Sequence, residues 1–153
     1  MSRSRIARRV GDIVAVPLGD GKYAFGWILD EPLIAFFDLQ RGDLQPPPNL
    51  TQHEALFRIW VMNHSIVRGA WPVVGHVEPS FAQRERPWFY KQDPISKIVS
   101  LTRDGNEELA VMDVSTLDSI ECAAVWEPEH VVDRIKDRFA GVPNRWVGSM
   151  AIR

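Results

Sequence analysis

GDIVAVPLGDGKYAFGWIL, residues 11–29, decides between two very different proteins. Its GDGK at 19–22 resembles a phosphate-binding loop, while the flanking residues suit two strands joined by a turn. A loop of the form G-x-x-x-x-G-K-[ST] needs glycine where this chain has Val16, needs Ser or Thr where it has Tyr23, and must open a helix. Instead, Tyr23, Phe25, Trp27 and Leu29 alternate with Ala24, Gly26 and Ile28. That period of two sets large side chains on one face of a strand and small ones on the other. Upstream, Asp12 to Leu18 is rich in Ile and Val, as a strand buried on both faces would be. Gly19-Asp20-Gly21 is therefore a hairpin turn, where glycine tolerates the positive φ that tight hairpins need.

Working outward, Asp30-Glu31-Pro32 makes a second turn and Leu33 to Leu39 a third strand, which completes a β-meander. Residues 40–50, QRGDLQPPPNL, form a loop stiffened by three prolines; a ligand for a proline-reading domain is the functional alternative. Thr51 with Glu54 fits a capping box and predicts a short helical turn, and residues 56–63 (LFRIWVMN) then read as strand. Trp71 to Val77 is another short strand, placed at a sheet edge by Pro72. Residues 97–102 and 108–112 flank Arg103-Asp104-Gly105-Asn106 as a hairpin, and Ile120 to Trp126 is a last strand.

A helix is predicted over 128–140. Pro128 suits its first position, with Glu127 and Glu129 at the positive end of the dipole. Val131, Val132, Ile135 and Phe139 make one apolar face, Trp126 and Val131 are spaced as a hydrophobic staple, and Gly141 with Pro143 ends the helix. The expected fold is α+β, mostly β: a curved antiparallel sheet or a small partly open barrel with one C-terminal helix. A flexible basic tail is expected over residues 1–10 and a single β-rich domain over 11–153.

Composition narrows the function. One cysteine, Cys122, rules out an internal disulfide framework and suits the cytoplasm. No apolar run is long enough for a membrane span, and no apolar segment follows MSRSRIARRV as a secretory signal requires. The chain carries a net charge of −2, but four arginines and no acid lie in the first ten residues. Residues 11–153 thus hold 14 basic against 20 acidic side chains, a net of −6. That argues against nucleic acid as partner and favours encounter with a cationic one.

The search for chemistry returns no catalytic residue, cofactor or metal. Cys122 has apolar neighbours and reads as core rather than as a thiolate nucleophile. His53, His64, His76 and His130 show no ligand spacing. No G-x-S-x-G elbow is present, and Asp113 with Asp118, or Glu107 with Glu108, read as solubilising charge before they read as an acid–base pair. Basic and aromatic residues do interleave at RERPWFYK, residues 84–91. Arg84, Arg86, Trp88, Phe89, Tyr90 and Lys91 suit a platform for single-stranded bases, a loop entering a strand with its rings in the core, or a protein interface rich in Trp, Tyr and Arg. The acidic body weighs against the bases. Arg84, Arg86, Trp88 and Tyr90 are the candidate partner-binding residues. Six tryptophans also predict that some are exposed.

GDIVAVPLGDGKYAFGWIL, LFRIWVM, WPVVGHV and the ending ECAAVWEPEHVVDRIKDRFAG…NRWV together resemble the immunity protein 26 family, from about Gly11 to Val147. The resemblance implies a bacterial protein that binds and blocks a cognate toxin encoded beside it, with no cofactor and no catalytic motif. Two alternatives stand beside it. One is a β-barrel module that binds nucleic acid or peptide through residues 84–91. The other is a ribonuclease, because small toxin barrels share GDIV-x-VPL; those place a basic residue and a hydroxyl beside the second strand, where this chain has YAFGWIL.

Overall fold

The computed structural model describes residues 8–103 and 106–153. Strands β1 (Asp12–Gly19), β2 (Lys22–Ile28) and β3 (Leu33–Phe37) form the expected antiparallel meander. Between β1 and β2 the chain turns through Gly19, Asp20 and Gly21 at φ of 87°, 54° and 72°. GDGK is a hairpin turn.

Because these strands are apolar at almost every position, the sheet carries a core on each face. Val14, Val16, Ala24, Ile28, Ile34 and Phe36 join one cluster; Ile13, Ala15, Phe25, Trp27, Leu33 and Phe37 join the other. Gly26 faces the first, where a Cβ would meet Ile34 Cγ2 and the Phe36 ring at 3.0 Å. The small residue at that position is a packing requirement.

β4 (Ala55–Val61), the single turn α1 (His64–Val67) and β5 (Val73–His76) follow. The 3₁₀ turn before β4 spans Leu50–Gln52, with Asn49 at its N-cap position and no side-chain cap. Thr51 therefore lies inside the turn, and the capping box expected from Thr51 and Glu54 does not form. β5 is an edge strand paired with β1, as Pro72 predicts.

A second sheet takes β6 (Phe89–Gln92), β7 (Val99–Arg103), β8 (Asn106–Ala110) and β9 (Glu121–Cys122), and β10 (Val125–Trp126) returns to the first sheet. The orders are β10-β4-β3-β2-β1-β5 and β8-β7-β6-β9, and neither sheet closes into a barrel. β7 and β8 pair as a hairpin; Asp104 and Gly105 of its turn, and the side chains of Glu107 and Glu108, lie outside the described residues. Ile120 to Trp126 is not one strand. It pairs parallel to β6 at Glu121–Cys122, then parallel to β4 at Val125–Trp126, crossing between sheets at Ala123 and Ala124. The hydropathy of that segment is continuous; its hydrogen-bond partners are not.

The predicted helix is present as α2 (Pro128–Ala140), with Pro128 in its first turn and Gly141 left-handed at φ 70°. Gly141 N–H donates to Arg138 and Val142 N–H to Asp137, the Schellman arrangement. Val131 and Ile135 are fully buried against the first core cluster, and Val132 and Phe139 pack at its margin. A last short helix, α3 (Arg145–Ser149), is capped by Asn144, whose side chain accepts from Val147 N–H.

The basic N-terminal segment is anchored at its inner end. Arg8 donates to the carbonyls of Val61 and Pro32, and burial lowers its pKa. Arg9 reaches Asp12, which is 1% exposed and also bonds His76 Nδ1 at 2.7 Å. His76 Nε2 faces Glu78 at 3.0 Å. The hydrogen bonds to Asp12 and then Glu78 raise the His76 pKa above its ordinary 6.5. A raised folded-state value stabilises fully below the unfolded value and is lost as pH rises through the folded one. The stability gap between the wild type and His76→Gln is therefore expected to be widest below about pH 6.5 and to shrink as the solution turns alkaline, as urea melts at both ends of that range will show. A gap independent of pH would mean that His76 is held by packing alone.

Candidate functional site

Residues 77–88 carry the chain from the first sheet to the second, and their local bonds decide what they expose. Ser80 N–H donates to Gln83 Oε1 (2.9 Å) and Gln83 N–H to Ser80 Oγ (3.2 Å), a reciprocal cap over one helical turn. Arg84 N–H closes that turn on the Ser80 carbonyl at 3.0 Å. The turn holds Phe81 outward, 97% exposed.

After it the charges interlock. Arg86 meets Asp30 at 3.1 Å, Glu85 meets Arg103, and Arg58 donates to the Glu85 carbonyl at 3.4 Å. The Arg103 guanidinium lies over the Trp88 ring, 5.6 Å from its centroid. The Arg84 guanidinium has no partner among the described residues. Pro79, Phe81, Arg84, Glu85, Arg86 and Arg103 line one shallow depression of about 850 Å³.

Behind this loop the two sheets part to leave a cleft of about 570 Å³. Its apolar lining comes from Trp27, Phe37 and Phe89, which are buried, with half-buried Trp88 beside them. Phe89, 2% exposed, packs on Trp60 with centroids 4.3 Å apart and planes tilted by 40°, so this ring of RERPWFYK is core. Glu54 and Arg58 line the cleft from the first sheet's side, and Asp118, Ser119 and Glu121 from the segment that enters the second sheet.

Of the four candidate residues, the structure brings together Arg84 and Arg86 in the depression and Trp88 at the adjoining cleft. Tyr90 is elsewhere. Its hydroxyl donates to the Met150 carbonyl at 2.9 Å, and burial raises its pKa. The reason is strand geometry: Tyr90 lies within β6, next to Phe89, and is directed toward the C-terminal segment rather than toward the loop. Phe81 went unnoticed in the sequence, where nothing distinguishes an exposed ring in SFAQ from a buried one. None of the six tryptophans is fully exposed; Trp27, Trp71 and Trp126 are buried and Trp60, Trp88 and Trp146 half-buried.

Cys122 is half-buried, and burial pushes its thiol up, away from a thiolate. Asp113 caps a 3₁₀ turn through the Ser115 hydroxyl and N–H, which lower its pKa. His64, Glu127 and Glu129 each offer an atom within 4.8 Å of the others, a convergence across α1 and the start of α2 that no sequence spacing reveals. Within that group, His64 Nε2 lies 3.7 Å from a Glu129 carboxylate oxygen.

No helix among the described residues is long and apolar enough to cross a membrane. The family model described as immunity protein 26 matches residues 9–100, well over half of the chain. No curated protein and no solved structure matches it.

Proposed function

The chain belongs to the immunity protein 26 family, and from that premise we propose that it neutralises a cognate bacterial toxin in the cytoplasm by binding it, with no catalysis of its own. The observation that carries this reading beyond the family is Phe81, held 97% exposed by a hydrogen-bonded turn beside an arginine without a partner among the described residues. Apolar rings are rarely presented to water so completely, and aromatic and arginine anchors dominate protein interfaces. Because the turn is already ordered, docking would cost little conformational entropy. We assign the contact face to Phe81, Arg84, Arg86 and Trp88. Tyr90, its hydroxyl committed to Met150, stays out of it.

The net charge of −6 over residues 11–153 speeds encounter with a cationic toxin. The arginines around the depression serve a nucleic-acid platform poorly, since two of its three, Arg86 and Arg103, already meet Asp30 and Glu85.

Co-expression with the toxin encoded beside this chain tests the reading. Wild-type protein is expected to restore growth, and the double variant Phe81→Ala, Arg84→Glu to weaken the complex by about 30-fold or more, since a hot-spot truncation costs about 2 kcal/mol or more. Both positions are exposed, so thermal unfolding should be unchanged. Full protection by the double variant would remove this face from the interface; a folded wild type that neither protects nor binds would sink the function itself.

A further inference from the structure

We propose that the cleft between the two sheets receives a lysine or arginine side chain projecting from the toxin, a role that rests on the toxin-binding reading. The cleft, about 570 Å³, is large enough for one long side chain. Its chemistry is divided in the way a basic residue is divided. Half-buried Trp88, above the buried rings of Trp27, Phe37 and Phe89, offers apolar surface to a methylene stem. Glu54 and Asp118 supply carboxylates from different elements, one just before β4 and one just after the 3₁₀ turn at Val114–Leu117. Neither has a hydrogen-bond or ion-pair partner among the described residues.

The third lining carboxylate, Glu121, is occupied by Arg134 in a bidentate pair at 2.6 and 2.9 Å. Arg58, the one arginine or lysine that lines the cleft among the described residues, donates to the Glu85 carbonyl. Two carboxylates without a partner among the described residues and one guanidinium thus line the cleft, and an entering cation neutralises the remainder. An acidic side chain would meet both carboxylates, and an apolar one would strip their water without replacing it, so the cleft discriminates against both. The cleft and the outer depression adjoin along the chain, because Gln83 lines the cleft while its neighbour Arg84 lines the depression with Phe81. One partner surface can therefore engage both.

The test uses the purified toxin encoded beside this chain and the double variant Glu54→Gln, Asp118→Asn, which keeps side-chain shape at two exposed positions. Association and dissociation rates are measured at low and moderate salt, with Phe81→Ala alongside. A charge that only steers changes the association rate, whereas a partner buried against a cation changes dissociation. Dissociation of the double variant is expected to be about 30-fold faster or more. One lysine or arginine of the toxin, changed to alanine, should reproduce that factor and add nothing to the double variant. Wild-type dissociation in the double variant, with Phe81→Ala still weakened, would overturn the cleft and leave toxin binding standing; so would an effect confined to association. Absence of any complex with the wild type would overturn the toxin-binding reading and the cleft with it.

Discussion

Replacing Phe36 by alanine is expected to remove about 3–5 kcal/mol of folding stability. Phe36 is wholly buried in β3, a central strand flanked by β2 and β4. Its ring meets Phe57 at 5.4 Å and the edge of Trp71 at 5.9 Å, and it fills the space that Gly26 leaves on the neighbouring strand. Alanine would lose the transfer free energy of the ring and leave a cavity among side chains that strand backbones hold in place. Phe36→Leu refills most of the volume and should cost clearly less. Denaturant midpoints with an unchanged slope check this; a midpoint that stays put would mean that this face of the sheet is not packed as described.

Arg134→Ala comes second, at about 2–3 kcal/mol, below the range for removing one partner of a fully buried pair because water partly reaches both groups. Arg134 stands on α2, passes over Phe57 at 3.8 Å and Trp126 at 5.1 Å, and ends on both oxygens of Glu121 in β9. One side chain thus ties the helix and the first sheet to the second. Its removal strips the stacking and leaves the Glu121 carboxylate, 27% exposed, without its cation. Lysine keeps the charge but not the fork, so Arg134→Lys should recover only part of the loss. The pair Arg134→Met, Glu121→Gln should be more stable than Arg134→Ala, because no charge is then stranded. If Arg134→Ala unfolds at the wild-type midpoint, the contact between helix and second sheet is not an energetic one.

The meander and α2 were legible because their signals are local. Turn glycines, alternation of large and small residues, Pro128 and Gly141 each act within a few residues, and each is found where it was read. The division into two sheets was not legible. Ile120 to Trp126 has the composition of one strand, yet Glu121–Cys122 pairs with β6 and Val125–Trp126 with β4, choices made by partners some 30 and 65 positions away. The short helices α1 and α3 span four and five residues, too few to show a period. The same distinction governs the site. RERPWFYK announced its composition, but the alternation that sends Phe89 into the core and Tyr90 toward Met150 depends on where β6 begins and what covers each face. The exposure of Phe81, and the place of Glu54 and Asp118 on one cleft, carry no sequence signal, since both are tertiary facts.

The most direct test of the central claim is titration of the proposed cognate toxin, purified, with the wild-type protein, following complex formation and toxin activity together. A stoichiometric complex that abolishes activity, and that the Phe81→Ala, Arg84→Glu variant forms about 30-fold more weakly or worse, is the predicted result. A folded protein that leaves the toxin active and forms no complex at micromolar concentration would contradict it.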